Sequence, residues 1–429
     1  MHLFFSLVVF VFLTSNALSM PTAPRSHLQG RSFKVDLVRR SDYVPHGPTA
    51  LRKAYRKFGI TSTEFTGTEL SDFKLLDTSS LTTAKSATED SPDTEQSGAV
   101  SAASVNGDQE FVSPVNIGGQ TLPMNFDSGS ADMWVLSSRL PASQKQGRTV
   151  FEVDNSTTFK QVQDGTFSIS YGDSSKASGL LGKDTVSVGG VEFKEQTFGL
   201  ATEASDVFIE DTASNGLVGL GFSSLNTFKP GPQKTFFENV APTLDEPLFT
   251  ARLRPDGVGQ YEFGKIDETK YTGSLVNVSV DSSDGFWQFQ SAQYSIDGGS
   301  FNTITQTTKA IADTGTSLLL ISPEVVQAYY AKVAGAVYAG NVQGWIFPCA
   351  SNLPSLSIAI GNDYAAKIPG KLINYAQIGT NTTTGATLCY GGVQSNSGGS
   401  MSIYGDVFLK ALFVVFDQRG PSLGFATPT

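Results

Sequence analysis

The chain has 429 residues, enough for more than one packed core. Only 16% are charged, the formal net charge is -10 and there are 43 glycines. That balance argues against a nucleic-acid footprint and favours short strands and turns over helices. All three histidines, His2, His27 and His46, lie near the N-terminal end. If that region is removed, no histidine remains, which excludes a Ser-His-Asp or Cys-His site and a His-ligated catalytic zinc. Proton chemistry would then fall to carboxylates.

In chain order, an apolar run over residues 3–13 is followed by Thr14, Ser15, Asn16 and the small residues Ala17 and Ser19. This predicts a signal peptide over residues 1–19, although its first residues carry only His2 and no Lys or Arg. No later stretch is long and apolar enough to predict a membrane span or a lipid anchor. Residues 20–60 then hold nine Lys or Arg against Asp36 and Asp42. From Gly98 onward the balance reverses, with 19 Lys and Arg against 30 Asp and Glu. Between them, residues 81–104 are rich in Ser, Thr, Ala, Gly and acids, the composition of an exposed linker open to cleavage. A basic arm ahead of an acidic body predicts a propeptide, residues 20–97, docked on the rest.

Beyond the linker, residues 110–117, 124–126, 167–171, 185–188, 260–263 and 412–416 read as strands punctuated by Gly-Gly, Asp-Gly and Gly-Asp pairs. One clear helix is predicted over residues 323–332, with Ser322 as N-cap, Pro323 at the first position and Glu324 in the first turn. Only Cys349 and Cys389 are present, and in an oxidising compartment they can pair. Asn155, Asn277 and Asn381 open glycosylation sequons.

The strongest signal is an internal repeat. Asp127-Ser128-Gly129-Ser130 leads into an apolar run, and so does Asp313-Thr314-Gly315-Thr316. Each copy is followed by two apolar residues and a glycine, Leu217-Val218-Gly219 and Ile403-Tyr404-Gly405, and the interval from Asp to that glycine is 92 positions in both. Matched spacing predicts two similar lobes, each supplying one Asp. Two carboxyls held together repel and share a proton, so one serves as base and the other as acid. A water between them can then attack a peptide carbonyl without a covalent intermediate. Gly129 and Gly315 permit close backbone approach. The Ser128 and Thr314 hydroxyls can tie the two loops together, and those of Ser130 and Thr316 can bond the outer carboxyl oxygens.

On these motifs the chain resembles the pepsin family of aspartic proteases, most of all secreted fungal members such as penicillopepsin, aspergillopepsin and endothiapepsin. The resemblance spans the chain and includes residues 261–267, 285–289 and 405–411. It implies an all-β, bilobal fold with a central substrate cleft, an N-terminal lobe over residues 98–272 and a C-terminal lobe over 273–429. Proton sharing between paired carboxyls is a property long attached to this class. The resemblance further implies a catalytic pair Asp127 and Asp313, and a flap over residues 168–179 carrying Tyr171, Gly172 and Asp173. Trp134 would hydrogen-bond Tyr171, and Asp173 would let the enzyme accept Lys, beside large apolar residues, on the amino side of the cut bond. Cys349 and Cys389 match the single disulfide of the fungal group, and no cysteine pair lies between Asp127 and Tyr171.

The implied protein is a secreted, extracellular, monomeric endopeptidase without metal or cofactor. It would act on polypeptides at acid pH, bind pepstatin-like inhibitors and no nucleic acid or membrane, and be held inactive by its own propeptide. Lys57 or Arg56 would block the carboxyl pair, with processing near Gly98 and cleavage after Arg39-Arg40 as the alternative. The competing reading is a non-catalytic binding or inhibitor-like protein on the same fold. Two departures stand out. Ser128 replaces a commoner Thr, and Tyr404 replaces an aliphatic residue, so its phenol needs a partner if buried.

Overall fold

Alternating apolar residues build nearly everything here. In the strand Lys176–Val188, buried and part-exposed residues alternate along Gly182–Val188, as expected of a sheet with one covered face. The structure is a computed structural model that describes residues 32–36, 38–39, 45–61, 72–76, 111–145, 147–170, 176–210, 214–255, 259–362 and 364–429. The expected signal peptide, the linker over residues 81–104, the cleavage position near Gly98, Arg40, and Tyr171, Gly172 and Asp173 all lie outside the described residues.

The fold is all-β and two-lobed. In the N-terminal lobe an eight-stranded sheet runs from Val38–Arg39 through Phe111–Ile117, Gln120–Asp127, Gly216–Gly219, Met133–Leu136 and Val191–Ala204 to Lys176–Val188 and Lys160–Ser170. An extra pairing of Phe111–Ile117 with Lys176–Val188 folds this sheet back on itself. The C-terminal lobe holds sheets of five, four and five strands. A six-stranded sheet, ordered Phe33–Asp36, Gln260–Phe263, Leu248–Arg252, Phe413–Asp417, Ser422–Pro428 and Tyr271–Ser279, draws on both halves of the chain. Its aromatic residues stack face to face, Phe33 on Phe263 at 4.5 Å and Phe249 on Phe416 at 4.4 Å between ring centres.

The basic arm belongs to these sheets. Phe33–Asp36 forms the edge of the six-stranded sheet, Val38–Arg39 pairs with Phe111 and Val112, and Phe73–Leu75 pairs with residues 379–381 of the C-terminal lobe. The helix Gly47–Lys57 buries Gly47, Ala50, Leu51 and Ala54, a three-four spacing that makes one apolar stripe. Arg56 and Lys57 sit in its last turn, where cations complement the helix dipole.

The predicted strands appear with small shifts, Phe413–Asp417 for example starting one residue later than expected. The predicted helix is Pro323–Tyr330, but the Ser322 side chain makes no capping bond. It donates instead to Glu324 Oε1 at 3.3 Å. Glu324 in turn accepts from the Thr305 N–H at 2.6 Å and the Thr305 hydroxyl at 2.6 Å, pinning the preceding loop. Cys349 and Cys389 are bonded to each other. Asn155 and Asn277 are exposed. Asn381 is half-buried, its Oδ1 accepting from the Thr383 and Thr384 N–H groups at 3.0 and 2.8 Å.

Candidate active site

Each Asp is placed by the same device. Gln120–Asp127 runs parallel to Gly216–Gly219, with Asp127 opposite Gly219. Lys309–Ala312 runs parallel to Ser402–Tyr404, with Ala312 opposite Tyr404. The strand after each motif then pairs antiparallel with the same partner, Trp134 opposite Leu217 and Leu320 opposite Ile403. The equal intervals in the sequence are therefore the length of chain needed to bring a third strand back between the two that flank each Asp loop.

The two loops meet. The Ser128 N–H donates to Thr314 Oγ1 at 3.0 Å and the Thr314 N–H donates to Ser128 Oγ at 2.9 Å. Each hydroxyl passes its own proton across, Ser128 Oγ to the Ala312 carbonyl and Thr314 Oγ1 to the Phe126 carbonyl, both at 2.9 Å. The missing Thr methyl at Ser128 leaves this network complete, because only the hydroxyl takes part. Gly129 N–H donates to Asp127 Oδ1 at 2.8 Å and Gly315 N–H to Asp313 Oδ1 at 2.9 Å. A Cβ on Gly129 would lie 2.5 Å from Asp313 Oδ1, and one on Gly315 would press into the Asp127 carboxyl. Only glycine allows the loops this close.

Ser130 Oγ donates to Asp127 Oδ2 at 2.8 Å, as expected. Thr316 does not do the same for Asp313: its buried hydroxyl has no hydrogen-bond partner among the described residues. Asp313 Oδ2 accepts from Lys57 instead.

Lys57 is the centre of the arrangement. Its Nζ donates to Asp127 Oδ1 at 2.6 Å and to Asp313 Oδ1 and Oδ2 at 2.8 and 2.9 Å. Of the two basic residues considered from the sequence, it is Lys57 that makes these bonds. Both aspartates are buried, Asp127 at 3% and Asp313 at 0% exposure. Burial raises the Asp127 carboxyl, but the Lys57 charge and the bonds from Asp313, Lys57 and Ser130 outweigh it, leaving a net lowering. Burial also raises Asp313. There Lys57 pulls down while the charge of Asp127 pushes up, and the net shift is upward. With Lys57 in place, one carboxyl of the pair thus ionises more readily than the other, as two coupled like groups do.

Several neighbours were not singled out from the sequence. Phe58 places its ring 5.9 Å from Phe286. Asp132 is buried and accepts from the Thr227 N–H at 2.9 Å and hydroxyl at 2.5 Å, fixing the turn after the first motif. The signal for Asp132 was an acid inside an apolar run, five residues beyond Asp127. Trp134 is buried against Phe167 and Phe208, and its indole N–H has no hydrogen-bond partner among the described residues. Tyr404 is fully buried and its phenol meets Ser291 Oγ at 2.7 Å, which answers the question its identity raised.

Two lobes that each lend an Asp-Ser/Thr-Gly loop to one carboxyl pair define an aspartic-type endopeptidase. The model of the eukaryotic aspartyl protease family matches residues 110–428, and the chain belongs to that family. It is 55% identical over 429 residues, all of both chains, to an aspergillopepsin A-like aspartic endopeptidase of Aspergillus fumigatus. It is 44% identical over 402 residues, 92% of this chain and 89% of the relative, to aspartic protease PEP3 of Coccidioides posadasii. To aspergillopepsin-1 of Aspergillus oryzae it is 42% identical over 416 residues, 96% of this chain and 97% of the relative.

Proposed function

We propose that this aspartic endopeptidase is a secreted zymogen working at acid pH, in which Asp127 and Asp313 activate a water. The observation that carries the reading is the single ammonium group held by both carboxyls at 2.6 and 2.8 Å. A donor at that point marks where a water would sit once the arm has left. Asp127, whose Oδ2 keeps the Ser130 hydroxyl bond after the arm has left, takes a proton from this water, whose oxygen bonds to the peptide carbonyl carbon. Asp313, which receives no matching hydroxyl bond from Thr316, gives its proton to the carbonyl oxygen, forming a tetrahedral diol. The proton gained by Asp127 passes to the amide nitrogen as the carbon–nitrogen bond breaks. The diol returns a proton to Asp313 as the new carboxyl forms.

On this reading residues 1–19 are the signal peptide and residues 20–97 the inhibitory propeptide, cut near Gly98. The lobes span residues 98–272 and 273–429. Tyr171, Gly172 and Asp173 close over substrate beside Trp134, favouring large apolar residues and, through Asp173, Lys. Asn155, Asn277 and Asn381 carry glycans, the mature enzyme is an extracellular monomer, and pepstatin-like molecules occupy the cleft. The test is protein digestion at acid pH by the mature form, with and without pepstatin, for wild type and Asp127→Asn. Digestion that survives both the inhibitor and the substitution would overturn the proposal.

A further inference from the structure

A cavity of about 590 Å³ borders the six-stranded sheet and the C-terminal lobe, and it shares no lining residue with the carboxyl pair. Cations reach it from four elements. Arg252 ends the strand Leu248–Arg252 and Arg254 follows it, Lys367 lies on Tyr364–Ile368, Lys371 on the short helix Gly370–Ile373, and Lys410 just after the helix Asp406–Leu409. The one anion among the lining residues is the terminal carboxylate of Thr429, and Asp406, one turn before Lys410, does not line it. Five cations against one carboxylate around a cavity in a protein of net charge -10 is a costly arrangement, because like charges repel most strongly where water is partly excluded.

The cations differ in how they are held. Lys410 is only 8% exposed, and burial pushes its ammonium down to about 7. Arg252 donates to the terminal carboxylate of Thr429, and Arg252, Arg254 and Lys410 each engage other groups as well. Lys367 and Lys371 are exposed at the rim. Two guanidinium forks and three ammonium groups suit oxygens carrying several negative charges, which guanidinium binds in bidentate fashion. The volume is that of a small-molecule site, larger than one sulfate needs.

We propose that this cavity binds a small molecule bearing more than one phosphate or sulfate group. The shared chemistry is the clustered oxyanion, and its source is either a free polyphosphate or a sulfated sugar. The probes are therefore sodium tripolyphosphate and a multiply sulfated disaccharide, titrated into the purified full-length chain at pH 6.5 by calorimetry. Sodium chloride at matched ionic strength is the control. Saturable binding of one molecule by either probe is expected, and the probe that binds names the source. Lys367→Gln with Lys371→Gln changes only exposed residues and should weaken binding at least about tenfold. Asp127→Asn should leave the affinity unchanged, so the result does not depend on how the carboxyl pair works. No saturable binding with either probe, or equal affinity in a double variant that melts like wild type, would overturn the assignment.

Discussion

The Ser128 and Thr314 side chains each accept from the other's backbone N–H, at 2.9 and 3.0 Å, and each donates to a carbonyl of the opposite half. Two short hydroxyls thereby make four bonds between halves of the chain that are otherwise 186 positions apart. Because both are buried, losing one hydroxyl orphans a donor and an acceptor at once, each worth about 1–3 kcal/mol when left unpaired. Ser128→Ala should therefore destabilise the protein by about 2–4 kcal/mol and lower kcat. Ser128→Thr should keep kcat near wild type, since the network needs only the hydroxyl. Calorimetric melting with kinetics on one protein substrate decides this. An alanine variant as stable and active as wild type would show that the two loops are positioned by other contacts.

Asp127→Asn removes the carboxylate that accepts from Ser130 and leaves its shape intact. General-base loss typically costs about 10²–10⁴ in rate, so kcat of the mature enzyme should fall by at least about a hundredfold at every pH. Binding of pepstatin should weaken in parallel, because an amide cannot share the proton. Retention of more than about a tenth of kcat would assign the base role elsewhere.

Much of this site is legible in the sequence. The repeat exposed both Asp loops because a parallel pairing such as Asn125 opposite Leu217 requires the chain to travel out and return, and the two halves do so over equal lengths. The choice of Lys57 over Arg56 was not legible. Adjacent helical residues point about 100° apart, and only the packing of Leu51 and Ala54 decides which one faces the carboxyls. Thr316 failed as a carboxyl partner for a related reason: the sequence shows a hydroxyl at the matching position, but not that Lys57 already satisfies Asp313 Oδ2. The basic cavity was invisible because Arg252, Lys367 and Lys410 are far apart along the chain and fit no repeat.

Gly315→Ala should abolish activity with little loss of fold. The added Cβ would push into the Asp127 carboxyl, and a misplacement of about 1 Å can cost about a hundredfold in rate. Circular dichroism close to wild type together with kcat below about 1% is the expected pair of results. A normal kcat would mean that the loops have slack which the hydrogen bonds conceal.

Reduction of the Cys349–Cys389 bond tests the C-terminal lobe alone. The residues are 40 apart in sequence, and closing such a loop in the unfolded chain is worth about 4 kcal/mol at most. Cys389 also sits in a ladder opposite Phe347, so the native strands stay paired without the bond. The double variant Cys349→Ala with Cys389→Ala should lose about 2–4 kcal/mol of stability but keep kcat. A variant as stable as wild type in denaturant melts would show that the unfolded chain is already compact there.

Release of the arm should be governed by Lys57 and not by its other ion pairs. Lys34 reaches Asp267 at 3.2 Å and Glu262 at 3.7 Å, but it is 45% exposed, and exposed pairs contribute little. The carboxyl of Asp267, brought down to about 2, owes that first to the Thr269 hydroxyl, which stays when the arm leaves. Lys57 is different, being buried between two carboxyls. Burial lowers its ammonium, the two aspartates more than restore it, and it remains charged across the acid range. Asp313, shifted upward, takes its proton first as pH falls, leaving one carboxylate facing one ammonium. Asp127 is shifted downward from 3.8, so its stabilising contribution is complete above that value and is lost as pH falls through its lowered one. Conversion of the wild-type precursor should therefore begin below about pH 3.8. Lys57→Met removes one partner of a buried ion pair, a change that costs about 3–5 kcal/mol. Its precursor should convert at pH 5 at least about tenfold faster than wild type, as followed by gel and by N-terminal sequencing. Conversion with an unchanged pH midpoint would place the acid trigger outside the Lys57 site, in the contacts of the Phe33–Asp36 strand.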